Sequence, residues 1–218
     1  MHILRDASEE EMVLAFLREE LDSRRFREQI LKALKDVGAS EKLILEGDIA
    51  NERQNALRNQ VLGFFRGYPD REIFEHYPSG VAWKYAVFEA ADLDKLRYVD
   101  YSYWNELSKG TSSPVQAAET ICKGEEIYDI SNQYFLEGKE MLEQGMTFPP
   151  LIVLTCGNEM FLILEGHCRA TSYALMPEAF EGTEAYVGFC SADALLRKAP
   201  KLIARSYKKE KINELTNT

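Results

Sequence analysis

The stretch Glu165-Gly166-His167-Cys168-Arg169 gathers the residue types that can hold an anion and move a proton. Gly166 permits positive φ and a close backbone approach at a sharp turn. If a helix starts there, its first N–H groups lack partners and its dipole presents its positive end, which together make an anion site. Arg169 in the first turn adds a planar fork suited to bidentate phosphate contact. His167 adds a donor whose charge can change near neutral pH. Glu165 is placed to hold His167, a substrate hydroxyl or a magnesium ion. With Glu165 and His167 as the catalytic pair, this set fits phosphoryl transfer or nucleotide hydrolysis, chemistry that consists mostly of positioning and electrostatics. The plainer alternative is an ordinary i,i+4 pair between Glu165 and Arg169, with His167 replacing a helix cap.

The elements that must position these residues are legible on both sides. Pro149-Pro150 forces extension into a strand over 151–155, Cys156-Gly157-Asn158-Glu159 reads as a hairpin turn, and 160–164 is its partner. That second strand is apolar throughout, which predicts burial on both faces. A helix follows from 166–168 and ends before Pro177, then a strand at 185–189 and a helix at 192–198. Upstream, Arg97-Tyr98-Val99-Asp100-Tyr101 alternates as a strand should. A polar loop at 108–113 leads to Pro114, so Ser113 and Pro114 predict a helix over 114–123. Ser131 is read as the cap of a further helix through Gln144, with Phe135, Met141 and Leu142 inward. Ser8 and Glu11 spell a capping box before an amphipathic helix carrying Met12, Val13, Phe16, Leu17 and Leu21. A second helix ends at Gly38, and Asp48 is read as capping a third with Ile49, Leu57, Val61, Phe64 and Phe65, closed by Gly67 and Pro69. Residues 41–47 fit a short strand or helix equally. Tyr68, Phe74, Tyr77, Trp83, Tyr85 and Phe88 are expected to fill a seam between layers rather than form a ligand platform. The fold class is α+β: a small mixed β-sheet flanked by helices, with an N-terminal helical extension. Three regions are expected: 1–95, helical with an aromatic-rich connector; 96–198, a nucleotide-binding core; and 199–218, a basic and polar tail.

The run Phe148-Pro149-Pro150-Leu151-Ile152-Val153-Leu154, a turn, Phe161-Leu162-Ile163-Leu164-Glu165-Gly166-His167-Cys168-Arg169-Ala170, then Tyr173-Ala174, resembles the ParB/sulfiredoxin superfamily. The resemblance covers roughly residues 96–195. It implies that Gly166, His167, Cys168 and Arg169 wrap nucleotide phosphates, with ATP or CTP as the nucleotide, with or without Mg2+. It also implies that 97–101 and the 108–113 loop line the same cleft, with Lys109, Thr111 and Ser112 as further phosphate contacts. Two departures narrow the expectation. Sulfiredoxins carry Gly-Cys-His-Arg, so Cys168 sits one residue off their nucleophile and sulfinic-acid reduction is not expected. Partition proteins continue into a helix-turn-helix, whereas this core ends near residue 198, so chromosome partitioning is not expected either.

Composition sets outer bounds. The 218 residues are 45% hydrophobic, enough for a real core without disulfide or metal support. A net charge of −10 argues against coating DNA by phosphate neutralisation. Nucleic-acid contact is thus expected at most through the basic residues of 197–211. The four cysteines lack CxxC spacing and the three histidines fit no zinc pattern, so no metal site is expected and reduced thiols are. Nothing near Met1 reads as a signal peptide and no apolar run reaches a membrane span, so a cytoplasmic protein is expected. Two functions remain open. One is a nucleotide-dependent enzyme acting on a phosphorylated small molecule, with Glu165, Asp100 and Glu106 as the carboxylates near the cleft. The other is a non-catalytic nucleotide-sensing or interaction module, whose N-terminal helices engage a partner or form a homo-oligomer.

Overall fold

A computed structural model describes residues 1–200. Its centre is a six-stranded mixed sheet in the order β1-β2-β6-β4-β5-β3. The strands are β1 (His2–Asp6), β2 (Ala82–Val87), β3 (Leu96–Arg97), β4 (Leu151–Thr155), β5 (Phe161–Glu165) and β6 (Glu184–Phe189). β4 and β5 form the expected hairpin, antiparallel, and every side chain from Phe161 to Leu164 is buried. β4 runs parallel to β6, and β3 parallel to β5. The sheet draws strands from both sides of residue 95.

Alternation along the central strands divides the core into two layers. Ile152, Leu154, Leu162 and Leu164 face a layer built largely from α1 (Glu9–Asp22), α2 (Arg27–Asp36), α3 (Lys42–Leu45) and α4 (Glu52–Arg66). Leu151, Val153, Phe161 and Ile163 face the other layer, which holds α6 (Pro114–Cys122), α7 (Gln133–Glu143) and α8 (His167–Leu175). Two apolar faces on one strand explain why β5 carries no polar residue before Glu165.

Local signals account for most boundaries. Ser8 and Glu11 form the reciprocal capping box at the start of α1. Gly67 takes the left-handed conformation that stops α4. Residues 41–47 resolve into the single helical turn α3. Tyr68, Phe74 and Tyr77 pack edge to face on one another within the α1–α4 layer, with Phe16 against Phe74, whereas Phe88 packs on Phe161 in the opposite layer and half-buried Tyr85 meets Tyr186.

Several expectations are corrected. The strand at 97–101 shrinks to β3, because the Tyr98 N–H bonds to Ser112 O and Tyr98 turns into the core. Residues 102–107, to which the pattern assigned nothing, form α5 (Ser102–Leu107). β1 gave no signal because all five of its side chains are exposed, so no face alternates. Asn51, not Asp48, caps α4; Asp48 accepts from Ala50 N–H in the preceding turn. Ile49 precedes the helix and is exposed, as is Phe64 on its outer face. Ser131 accepts from Gln133 N–H but Asn132 holds the N-cap position, and Met141 faces outward. The last helix, α9 (Ala192–Lys198), lies where expected. Of the basic tail, residues 201–218 lie outside the described residues.

Candidate functional site

β5 delivers the chain to Gly166, whose φ of 101° and ψ of 21° turn it directly into α8. A Cβ on Gly166 would stand 2.4 Å from Leu151 Cδ2 and 3.2 Å from Arg169 Nη2, so both backbone angle and space require glycine. No side chain caps α8. Among the described residues, no protein acceptor meets the N–H groups of His167, Cys168 or Arg169. The open first turn expected from the sequence is present.

Its side chains are arranged differently from expectation. Arg169 is engaged: Nη1 contacts Glu19 Oε2 at 2.5 Å and lies 3.7 Å from Glu165 Oε1, while Nη2 donates to Pro150 O at 3.2 Å. The i,i+4 pair with Glu165 therefore exists, but it is the longer contact. Glu19 comes from the last turns of α1, and beside it Glu20 lies buried against Arg66 Nε at 3.2 Å. Two carboxylates near the negative end of a helix are poorly placed unless cations answer them. Arg169 and Arg66 supply that answer from α8 and α4.

This cluster shifts its own protonation. Burial lifts the Glu19 carboxyl, against the pull of Arg169 and with repulsion from Glu165 and Asp22. Burial lifts Glu20 as well, with Glu165 repelling and Arg66, Arg169 and Arg25 opposing. Neither glutamate was singled out from the sequence. The available signal was Glu20 itself, a carboxylate one turn after Phe16 on the apolar stripe of α1.

His167 is 8% exposed and stacks on Trp104 at 5.3 Å between ring centroids. Tyr98 stacks on both rings and its hydroxyl meets Thr171 Oγ1 at 2.6 Å. Burial, followed by repulsion from Arg66 and Arg169, drives the His167 pKa down to about 3. The expected charge change near neutral pH is thus removed, and His167 remains a neutral imidazole. Its Nε2 is buried without a partner among the described residues. Burial, with repulsion from Glu165, pushes the Cys168 thiol up to about 12, opposite to the shift an activated nucleophile needs.

The structure does not join Lys109, Thr111 and Ser112 to this turn. Lys109 pairs with Glu125, Thr111 Oγ1 donates to Ser108 O at 2.8 Å, and the Ser112 hydroxyl donates to Asn105 Oδ1 at 3.4 Å. Among the described residues, no hydrogen bond or ion pair links Lys109, Thr111 or Ser112 to 165–169. The loop is tied to the α8 neighbourhood through Tyr98, whose N–H bonds to Ser112 O, and through Trp104, whose carbonyl accepts from the Ser108 hydroxyl. Asp100 accepts from Asn105, and Glu106 is exposed on α5. Among the described residues no group of three or more His, Cys, Asp or Glu side chains is placed to hold a metal ion, and no helix is long and apolar enough to cross a membrane.

Comparisons with protein families, with curated proteins and with solved structures found no match.

Proposed function

We propose that this chain binds the phosphate of a nucleotide, or of another phosphorylated small molecule, at the first turn of α8. One observation carries the reading: the Arg169 fork already holds an anionic oxygen there, that of Glu19, beside N–H groups that no protein acceptor meets. A ligand phosphate would take the place of the Glu19 carboxylate on Arg169 and draw on the same N–H groups. On this reading the β4–β5–α8 unit corresponds to the phosphate-wrapping unit of the ParB/sulfiredoxin superfamily, with ATP or CTP as the ligand. Mg2+ would arrive with the nucleotide, since dianionic phosphates beside Glu19, Glu20 and Glu165 need further neutralisation.

Sensing or regulatory binding in a cytoplasmic protein fits better than catalysis. His167 is neutral and buried, Glu165 is committed in part to Arg169, and Lys109 is paired elsewhere. One feature favours the catalytic alternative, nucleotide-dependent phosphoryl transfer or hydrolysis. Glu20 is a buried carboxyl whose pKa is raised into the range of a general acid, in the same charge cluster.

The reading is tested by thermal shift with ATP, CTP, GTP and their diphosphates, with and without Mg2+. A ligand at 100 times its Kd stabilises the fold by about 2.7 kcal/mol. A rise in Tm with at least one nucleotide is expected. No rise with any nucleotide or with inorganic phosphate at millimolar concentration refutes the proposal.

A further inference from the structure

Two thiols outside the α8 site are brought together by strand register. β4 and β6 run parallel, with Thr155 opposite Phe189 at the end of the ladder. The next residue on each strand is a cysteine, Cys156 and Cys190. The pairing continues one step further, because the Cys190 N–H donates to Thr155 O at 2.9 Å.

Neighbouring strands lie about 4.8 Å apart. Disulfides accept Cα separations of about 4.4–6.8 Å. Residues opposite each other on parallel strands also send their side chains to the same face. Leu154 and Tyr186 border the helical layer of α1–α4, whereas Val153 and Val187 face away. Counting on by twos puts both Cys156 and Cys190 on the first of these faces, and both pack against that layer. Each is a free thiol and each is partly exposed, so a small oxidant can reach the pair. Cys122 and Cys168 have no such counterpart.

We propose that Cys156 and Cys190 form a reversible intramolecular disulfide, with a low-molecular-weight disulfide such as oxidised glutathione as the oxidant. The Cys156 thiolate, having lost its proton to solvent, attacks one sulfur of the oxidant. The oxidant's S–S bond breaks, and one glutathione leaves as a thiolate that takes up a proton. The Cys190 thiolate then attacks the Cys156 sulfur and expels the second glutathione. Two protein thiols are oxidised, one disulfide is reduced to two thiols, and no net proton is released. Burial raises both thiols, that of Cys190 to about 11. Both shifts keep the thiolate scarce at neutral pH, so oxidation is slow there and quickens about tenfold per pH unit.

The bond closes a loop containing β5 and α8, so oxidation ties the segment that carries the candidate phosphate site. The proposal stands independently of that site, because it concerns only the ends of β4 and β6.

The full chain is equilibrated in glutathione buffers of increasing oxidised fraction, quenched with acid, alkylated and mapped by mass spectrometry. The expected product yields one crosslinked peptide pairing Cys156 with Cys190, two hydrogens lighter than the two free peptides together. Its Tm should lie several degrees above that of the reduced chain. In Cys156→Ser and Cys190→Ser the remaining thiol of the pair should stop at its mixed disulfide with glutathione, as exposed Cys122 does in every form, with no crosslink and no rise in Tm. Three results overturn the proposal: both thiols stay alkylatable in the most oxidising buffer, the crosslink involves Cys122 or Cys168, or it forms only in denaturant.

Discussion

Replacing Glu19 with glutamine removes the charge that occupies the Arg169 fork while keeping the side chain's size. The pair is intermediate in burial, with 14% of the Arg169 side chain and 19% of the Glu19 side chain exposed. Exposed pairs are worth up to about 1 kcal/mol, and breaking fully buried ones costs about 3–5 kcal/mol. Arg169 also keeps Glu165 and Pro150 O as partners, so the loss should lie near the lower end, about 1–2 kcal/mol. The fold should lose that amount of stability. Nucleotide binding should gain about as much, because a phosphate no longer has to displace a carboxylate from Arg169. That gain corresponds to a five- to thirty-fold lower Kd. Isothermal titration calorimetry on wild type and Glu19→Gln at one salt concentration reads the affinity, and thermal unfolding reads the stability. Unchanged or weaker nucleotide affinity in a folded Glu19→Gln protein would refute the idea that Glu19 stands where phosphate binds.

Other consequences concern the same turn. The His167 pKa falls in the folded state from an ordinary 6.5 to about 3, so its stabilising contribution is complete above pH 6.5 and is lost as pH drops toward 3. The contribution at stake is no more than about 5 kcal/mol. His167→Phe, which keeps the stack on Trp104, should show a shallower loss of stability between pH 6.5 and 3, measured by urea unfolding; an identical slope would contradict the assignment. Gly166→Ala should destabilise by about 2–4 kcal/mol, from positive-φ strain and the clash with Leu151; a change below 1 kcal/mol in chemical denaturation would mean that this turn is not rigid. Cys168→Ser should leave nucleotide affinity, and any turnover found, within a few-fold of wild type, since the thiol is not activated. Abolished turnover in a folded variant would make Cys168 a nucleophile after all.

The layered α+β architecture was legible because β4, β5 and β6 announce themselves by apolar content and the helices by capping residues and 3.6-residue periodicity. The elements that escaped are those whose pairing is decided elsewhere. β1 has five exposed side chains, and β3 ends after two residues because Tyr98 is drawn into the stack with Trp104 and His167. At the candidate site, the open turn at Gly166 and the i,i+4 pairing of Arg169 with Glu165 followed from sequence, but the closer partner of Arg169, Glu19, did not. Glu19 is separated from Arg169 by most of the chain, and only the tertiary fold brings α1 and α8 together. The stack with Trp104 and Tyr98 covers His167, and its burial removes the titration its type suggests.

The central claim, that the first turn of α8 and Arg169 hold a phosphate, is tested most directly by calorimetric titration of Arg169→Ala and Arg169→Lys with whichever nucleotide stabilises the wild type. Circular dichroism first establishes that both variants are folded. Loss of a charge-assisted contact worth about 1.5–3 kcal/mol should weaken Arg169→Ala ten- to hundred-fold, with Arg169→Lys recovering only part, because a point charge cannot replace the fork. Wild-type affinity in a folded Arg169→Ala protein would contradict the claim and leave Arg169 as a structural partner of Glu19 alone.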